Sequence, residues 1–185
     1  MNKAVCLFEK NGYAKTHGEL TLEGLKKLMG KIKTKNKVFV DMGSGNGSVV
    51  INMVKTYLDI KKVIGIELNK ERYDFSVERV KKELTKSQQK KVELIYGDFF
   101  GDDIDYGNVD FVYISNLCFG NIINKKIAIK LNKELKPRAR VFSSRELTGI
   151  NTSKRTRTTV KQSWRCDSNI NKYTLKRRKN KKIDN

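Results

Sequence analysis

Residues 38–50, VFVDMGSGNGSVV, confine the chain to a narrow set of folds. A short apolar run, Val38-Phe39-Val40, ends at Asp41 and opens into Gly43-Ser44-Gly45-Asn46-Gly47. An apolar segment over residues 49–54 then begins as a helix does. A strand that turns through glycines into a helix start is how α/β folds bring backbone up to a nucleotide-like ligand. Glycines permit the close approach, and the helix start offers unpaired N–H groups. The spacing Gly43-x-Gly45-x-Gly47 differs from the dinucleotide pattern G-x-G-x-x-G, and an acid at the strand end suits a ligand with an ammonium group.

The remaining sequence repeats this alternation. Thr21 is placed to cap a helix with the stripe Leu22, Leu25, Leu28 and Met29, and Gly30 to end it. Buried strands are predicted over 37–40 and 62–66, and further strands over 92–96, 111–114 and 140–143. Helices are predicted over 48–57, from Asn69 to about residue 84 and over 122–135, where Pro137 prevents continuation. Tyr73, Phe75, Val77 and Val80 are the apolar positions of the middle one. The pattern implies an α/β, Rossmann-like doubly wound sheet, mainly parallel. Residues 158–164 and 173–175 suit a closing hairpin across a turn at 166–171. No repeat or linker divides the chain, so one domain over 1–175 and a basic disordered tail over 176–185 are expected.

At 185 residues the chain can bury one adequate core. No apolar run nears the ~20 residues of a membrane span, and the start, MNKAVCLFEK, lacks a signal peptide's apolar region. Cys6, Cys118 and Cys166 are too far apart for C-x-x-C metal spacing, so reduced thiols, no metal and an intracellular setting are expected. The net charge is +20. Abundant Lys, Asn and Ile point to codon bias as one source, and an anionic partner such as nucleic acid, a nucleosome or an acidic protein is the other. Bias accounts less well for the C-terminal part. There Lys154, Arg155, Arg157, Lys161, Arg165, Lys172 and the run over 176–182 face only Asp167 and Asp184, the composition of a tail that binds polyanions.

Four polar or acidic positions fall at or just past successive strand ends: Asp41, Glu67, Asp98 and Ser115-Asn116. In an open parallel sheet the ligand crevice lies there. Glu67 can accept both hydroxyls of a ribose, Asp98 an adenine amino group, and Phe99 can stack on the ring. S-adenosylmethionine carries those groups together with an ammonium and a sulfonium. Other chemistries fit poorly. His17 is the only histidine, so no Ser-His-Asp set can be assembled, and the NTPase pattern G-x-x-x-x-G-K-[ST] is absent. Asp102, Asp103 and Asp105 sit in a predicted loop and make no pair for hydrolysis. Methyl transfer needs none of these, because the sulfonium already activates the methyl group. The protein must position a nucleophile and exclude water. Residues 114–120, ISNLCFG, combine polar groups with Leu117 and Phe119 next to the expected methyl, and the same two residues equally fit an ordinary core.

With these blocks in place the chain resembles a class I S-adenosylmethionine methyltransferase, and more narrowly the disruptor-of-telomeric-silencing family, the non-SET histone lysine methyltransferases. Thr16-His17-Gly18-Glu19-Leu20 is similar to the family's Tyr-Gly-Glu-Thr loop, which closes over the methionine part of the cofactor. Residues 38–50 are similar to its FVDLGSGxGxVV, and Gly65-Ile66-Glu67 and Gly97-Asp98-Phe99 to its ribose and adenine segments. Residues 114–120 and Val141-Phe142-Ser143-Ser144-Arg145 resemble its Asn-Asn-Phe-x-Phe-Gly and Ser-Ser-Lys blocks. Gln162-Ser163-Trp164 and Tyr173 resemble the aromatic lining of its lysine channel. Departures are His17 for tyrosine, Leu20 for threonine and Ser115 for the first asparagine, in a chain shorter than nuclear members and without their N-terminal helical region.

The resemblance implies that His17, Gly18, Glu19, Leu20, Asp41, Gly43, Ser44, Gly45, Gly47, Ser48, Glu67, Asp98 and Phe99 bind S-adenosylmethionine. It implies that Ser115, Asn116, Phe119 and Trp164 are catalytic residues around a target lysine. The activity implied is protein-lysine N-methylation by a monomer, with a histone or nucleosome as candidate substrate and the tail on nucleic acid. The setting is the nucleus for a histone substrate and the cytoplasm otherwise. Three readings stand beside it: a lysine methyltransferase for a non-histone protein, an RNA methyltransferase, and a binding module that keeps only the fold. Amine-modifying RNA enzymes usually carry Asn/Asp-Pro-Pro-Tyr/Phe after strand four, and residues 115–117 hold no proline. The intact Asp41, Glu67 and Asp98 weigh against the binding module.

Overall fold

Thr21 caps the first helix, its Oγ1 accepting from the Gly24 N–H at 3.0 Å, and α1 (Leu22–Met29) ends at Gly30. The computed structural model describes residues 19–101 and 104–176. His17, Gly18 and nearly all of the expected tail lie outside the described residues. The strands β1 (Val38–Met42), β2 (Lys62–Glu67), β3 (Val92–Tyr96), β4 (Phe111–Ile114) and β5 (Arg140–Ser143) are parallel. A long hairpin, β6 (Thr152–Gln162) and β7 (Arg165–Leu175), completes a seven-stranded sheet of order β3-β2-β1-β4-β5-β7-β6. β7 runs opposite to the other six strands. The doubly wound, mainly parallel α/β sheet expected from the alternation is therefore the fold.

Both faces of the sheet are covered over β1, β2, β4 and β5, which is why those strands read as near-continuous apolar runs, whereas β6 is polar and largely exposed. On one face, α1, α2 (Ser48–Thr56) and α3 (Lys70–Glu83) pack Leu25, Leu28, Val50, Met53 and Val80 against Phe39, Val63, Phe111 and Phe142. On the other, α5 (Asn121–Glu134) lays Ile127, Ala128 and Leu131 over Val40, Ile66, Val112 and Val141. A short helix, α4 (Lys86–Gln89), was not predicted, although its capping box, Thr85 with Gln88, is a sequence signature of a helix start. None of the described helices is long and apolar enough to cross a membrane.

Three expectations need correction. The closing turn is Ser163-Trp164, not 166–171, so both strands are eleven residues long. Ser168 and Ile170 are buried at alternate positions, and the period-two pattern outweighs the turn character of the neighbouring asparagines. Phe75 is exposed rather than packed, because the buried side of α3 is Ser76 and Val80. Cys166 is a free, exposed thiol, but Cys118 is disulfide-bonded, against the expectation of reduced cysteines. Linear spacing excludes C-x-x-C pairs and says nothing about approach in space.

The hairpin reaches past the rest of the sheet. Ser143, the last residue of β5, lies opposite Asn171, and β7 begins further out at Arg165. Roughly 20 Å of hairpin therefore overhangs the carboxyl edge of the sheet. The overhang is held from beneath by α1, whose Gly24 lies so close that a Cβ there would stand 2.1 Å from the Lys161 carbonyl oxygen. Lys172 Nζ donates to the Leu28 carbonyl at 2.9 Å, closing the C-terminal end of the same helix.

Candidate functional site

The glycine turn is built for backbone approach. Gly43, Gly45 and Gly47 have φ of 84°, 54° and 78°, a region that side-chain-bearing residues occupy at a cost. A Cβ at Gly43 or Gly45 would meet no atom within 4 Å, so open space lies directly beside the backbone. The Gly43 and Ser44 N–H groups both donate to the Ile66 carbonyl at 2.9 Å, which pins the turn to the end of β2. Gly47 leads into α2 with no side-chain cap, leaving the first-turn N–H groups to a ligand.

Three carboxylates converge on that space. Asp41 is 3% exposed, and its pKa is pushed well above the ordinary carboxylate range. Burial is the leading cause, followed by the negative charges of Glu67 and Glu19, so the surroundings work against its charge. Glu67 is oriented by backbone: its two oxygens accept from the Gly45 and Asn69 N–H groups, each at 2.8 Å. Each oxygen keeps a further lone pair for a ligand hydroxyl. Glu19 accepts from Ser48 Oγ at 2.7 Å through Oε2, while its Oε1 is buried without a partner. Such an arrangement of acids calls for a cationic group.

Beside it, Asp98 follows β3 and accepts the Phe100 N–H at 2.9 Å, which shapes the turn after the strand. Phe99 is buried, its ring centroid 4.9 Å from that of Phe100 and 6.0 Å from that of Phe119, and so joins the expected adenine end to the acceptor loop. Ser44 Oγ is buried without a partner. Leu20 is a core residue, 1% exposed and bridged to Gln162, so its side chain does not face the turn.

The loop after β4 is held by a clamp of hydrogen bonds. Asn116 is fully buried and its amide is fully used: Oδ1 accepts from the Arg145 N–H at 2.7 Å, and Nδ2 donates to Asn124 Oδ1 at 2.5 Å and the Arg145 carbonyl at 3.2 Å. Asn124 Nδ2 donates to the carbonyls of Phe119 and Gly120, and Arg145 to the Phe119 carbonyl and Asn121 Oδ1. Asn116 thus ties the loop after β4 to Asn124 and Arg145. Leu117 and Trp164 are exposed at the rim. Tyr173 is a correction, since it sits in the core under α5 with its hydroxyl accepting the Leu147 N–H at 3.1 Å. Tyr113, Ser144 and Gln162 are instead buried together, and burial beside Asp41 pushes the Tyr113 phenol up while hydrogen bonding with Ser144, Ser115 and Gln162 opposes the rise.

Sequence reasoning missed Arg79 and Asn124, and named Arg145 only as the end of a block, without its bonds to the Phe119 carbonyl and Asn121. Asn124 had a signal: it is a polar residue on the stripe that Ile127, Ala128 and Leu131 bury. Arg79, on a polar helix, had none.

A family model described as Histone methylation protein DOT1 matches residues 8–179. A protein-lysine N-methyltransferase of Saccharolobus islandicus is 29% identical over 110 residues, 60% of this chain and 63% of the relative. A histone-lysine N-methyltransferase, H3 lysine-79 specific, of Caenorhabditis elegans is 28% identical over 147 residues, 75% of this chain and 15% of the relative. The chain thus spans less than two thirds of either relative. Among solved structures, the methyltransferase domain of bacterial CtHen1-C superposes with a TM-score of 0.66 over 84% of this chain and 98% of that one, at 12% identity.

Proposed function

The chain belongs to the DOT1 histone methylation family, and on that premise we propose that it methylates lysine ε-amines of a protein with S-adenosylmethionine as methyl donor. The observation that carries the reading is the convergence of Asp41, Glu67 and Glu19 on the open space beside Gly43 and Gly45, with Glu19 Oε1 buried and unpartnered. These residues fit the cofactor group by group. Asp41 and Glu19 meet the ammonium, Glu67 the ribose hydroxyls, and Asp98 with Phe99 the adenine. When bound, the cofactor supplies a methyl group activated by its sulfonium.

The chain's own residues do the rest. The amine must be neutral to attack, and removing its proton at pH 7 costs roughly 4.6 kcal/mol from an ordinary lysine pKa. A water-poor channel lowers that cost by desolvation, and Leu117, Phe119 and Trp164 supply its apolar rim. Ser115 lines the polar side, and Asn116 positions the loop that carries both. The finer proposal is a substrate protein carried on nucleic acid, as histones are. Exposed Lys154, Arg157, Lys161 and Arg165 on the hairpin support it, since phosphates attract such a surface. Tritiated cofactor offered separately with nucleosomes, free histones and tRNA tests the reading. Label recovered as methyl-lysine is the expected result, and label in nucleosides alone would replace it with RNA methylation.

A further inference from the structure

Arg79 lies on α3, outside every block that carries the family resemblance, yet its guanidinium reaches the cofactor loop through one hydroxyl. Nη1 donates to Ser48 Oγ at 2.7 Å, and Ser48 Oγ donates to Glu19 Oε2 at 2.7 Å. The order of donors is forced, because a guanidinium has no acceptor and a carboxylate no proton to give. Nη1 also donates to the Asn46 carbonyl at 3.0 Å, inside the glycine turn, and Nε to Glu83 Oε1 at 2.7 Å. Lys55 holds the other Glu83 oxygen at 3.2 Å, so the far end of the chain of bonds is anchored.

We propose that Arg79 is a positioning residue that fixes, through Ser48, which oxygen of Glu19 faces the cofactor's ammonium. This rests on the reading of the site as a methyltransferase site. With Oε2 held by Ser48, Oε1 is the oxygen left buried and unpartnered. The Glu19 backbone is fixed independently: its N–H donates to Ser163 Oγ at 3.1 Å and its carbonyl accepts the Ser163 N–H at 2.9 Å. What the relay adds is the rotation of the carboxylate. Its loss costs recognition of the amino-acid end of the cofactor and leaves the adenosine end alone.

Two ligands separate these effects: S-adenosylmethionine, and 5′-methylthioadenosine, which lacks the amino-acid end. Calorimetry on Ser48→Ala and Arg79→Met should show S-adenosylmethionine bound about tenfold more weakly, with 5′-methylthioadenosine unchanged. The double variant should be no worse than the weaker single one, since both cut the same chain. The KM for the cofactor should rise while kcat at saturation holds. Ser48→Ala leaves the Arg79 contacts with Asn46 and Glu83 in place, so it decides the matter where Arg79→Met fails to fold. Equal weakening of both ligands, or additive losses in the double variant, would overturn the relay. A wild-type protein that binds neither ligand would instead overturn the methyltransferase reading itself.

Discussion

A carboxylate buried as deeply as Asp41, with Glu67 and Glu19 adding like charge, opposes folding whenever it is ionised without a cation beside it. Its pKa in the folded chain lies above the unfolded one, so the folded chain holds the proton more tightly. Its contribution therefore favours folding at low pH and is lost as pH climbs from about 4 through the raised value. Asp41→Asn removes that burden. The variant should melt higher than the ligand-free wild type at pH 7 and bind S-adenosylmethionine poorly or not at all. In the wild type, uptake of the cationic ligand should expel a proton, read as a dependence of binding enthalpy on the buffer's ionisation enthalpy. Normal binding by Asp41→Asn would remove this residue from the cation site. Gly45→Ala makes the complementary test. At φ 54° a side chain costs about 1–2 kcal/mol, and its Cβ enters the open space where the ligand belongs. Cofactor affinity should fall at least about tenfold while circular dichroism shows the fold retained.

The elements fit together at contacts that leave little room for variation. Gly24 of α1 is the tightest: alanine would raise helix propensity by about 1 kcal/mol, but its Cβ collides with the Lys161 carbonyl at 2.1 Å. The collision is with backbone and wins, so Gly24→Ala should lower the denaturation midpoint by more than about 2 kcal/mol of stability. A midpoint at or above wild type would mean that α1 does not bear on β6. In the loop after β4, Asn124→Ala takes one of their hydrogen-bond partners from the Asn116 amide and from the carbonyls of Phe119 and Gly120. A loss of about 1–3 kcal/mol is expected, together with a lower kcat and an unchanged cofactor Kd. Much of this architecture was legible in advance. The Thr21 and Asn69 caps, the glycine turn and the acids ending β1 and β2 all leave local marks in sequence. The hairpin turn at Ser163-Trp164 did not, because asparagines near residue 170 mimic turn residues while burial decides the register. Arg79 was invisible for a related reason: its bonds to Asn46 and Ser48 span more than thirty positions, and no periodicity records them.

Between the glycine turn and the hairpin the charges are sorted by depth. Forty Lys and Arg against twenty Asp and Glu give the excess of +20, yet Asp41 and Glu67 lie buried at the glycine turn while basic side chains of the hairpin face outward. Salt screens exposed charges over about 10 Å at 0.1 M and buried ones far less. The KM for a nucleic-acid-borne protein substrate should therefore rise steeply with salt, whereas the cofactor Kd should barely move. Parallel salt slopes for the two would contradict this sorting. Trp164 offers a further use of the overhanging hairpin. It is the only tryptophan in the chain and is 43% exposed, at the tip beside the segment that bears Glu19. Its fluorescence consequently reports on one place, the acceptor rim, with no other indole in the background. A substrate peptide that covers the rim should shift the emission to shorter wavelength, and rapid mixing would then time the arrival of the substrate without any attached dye.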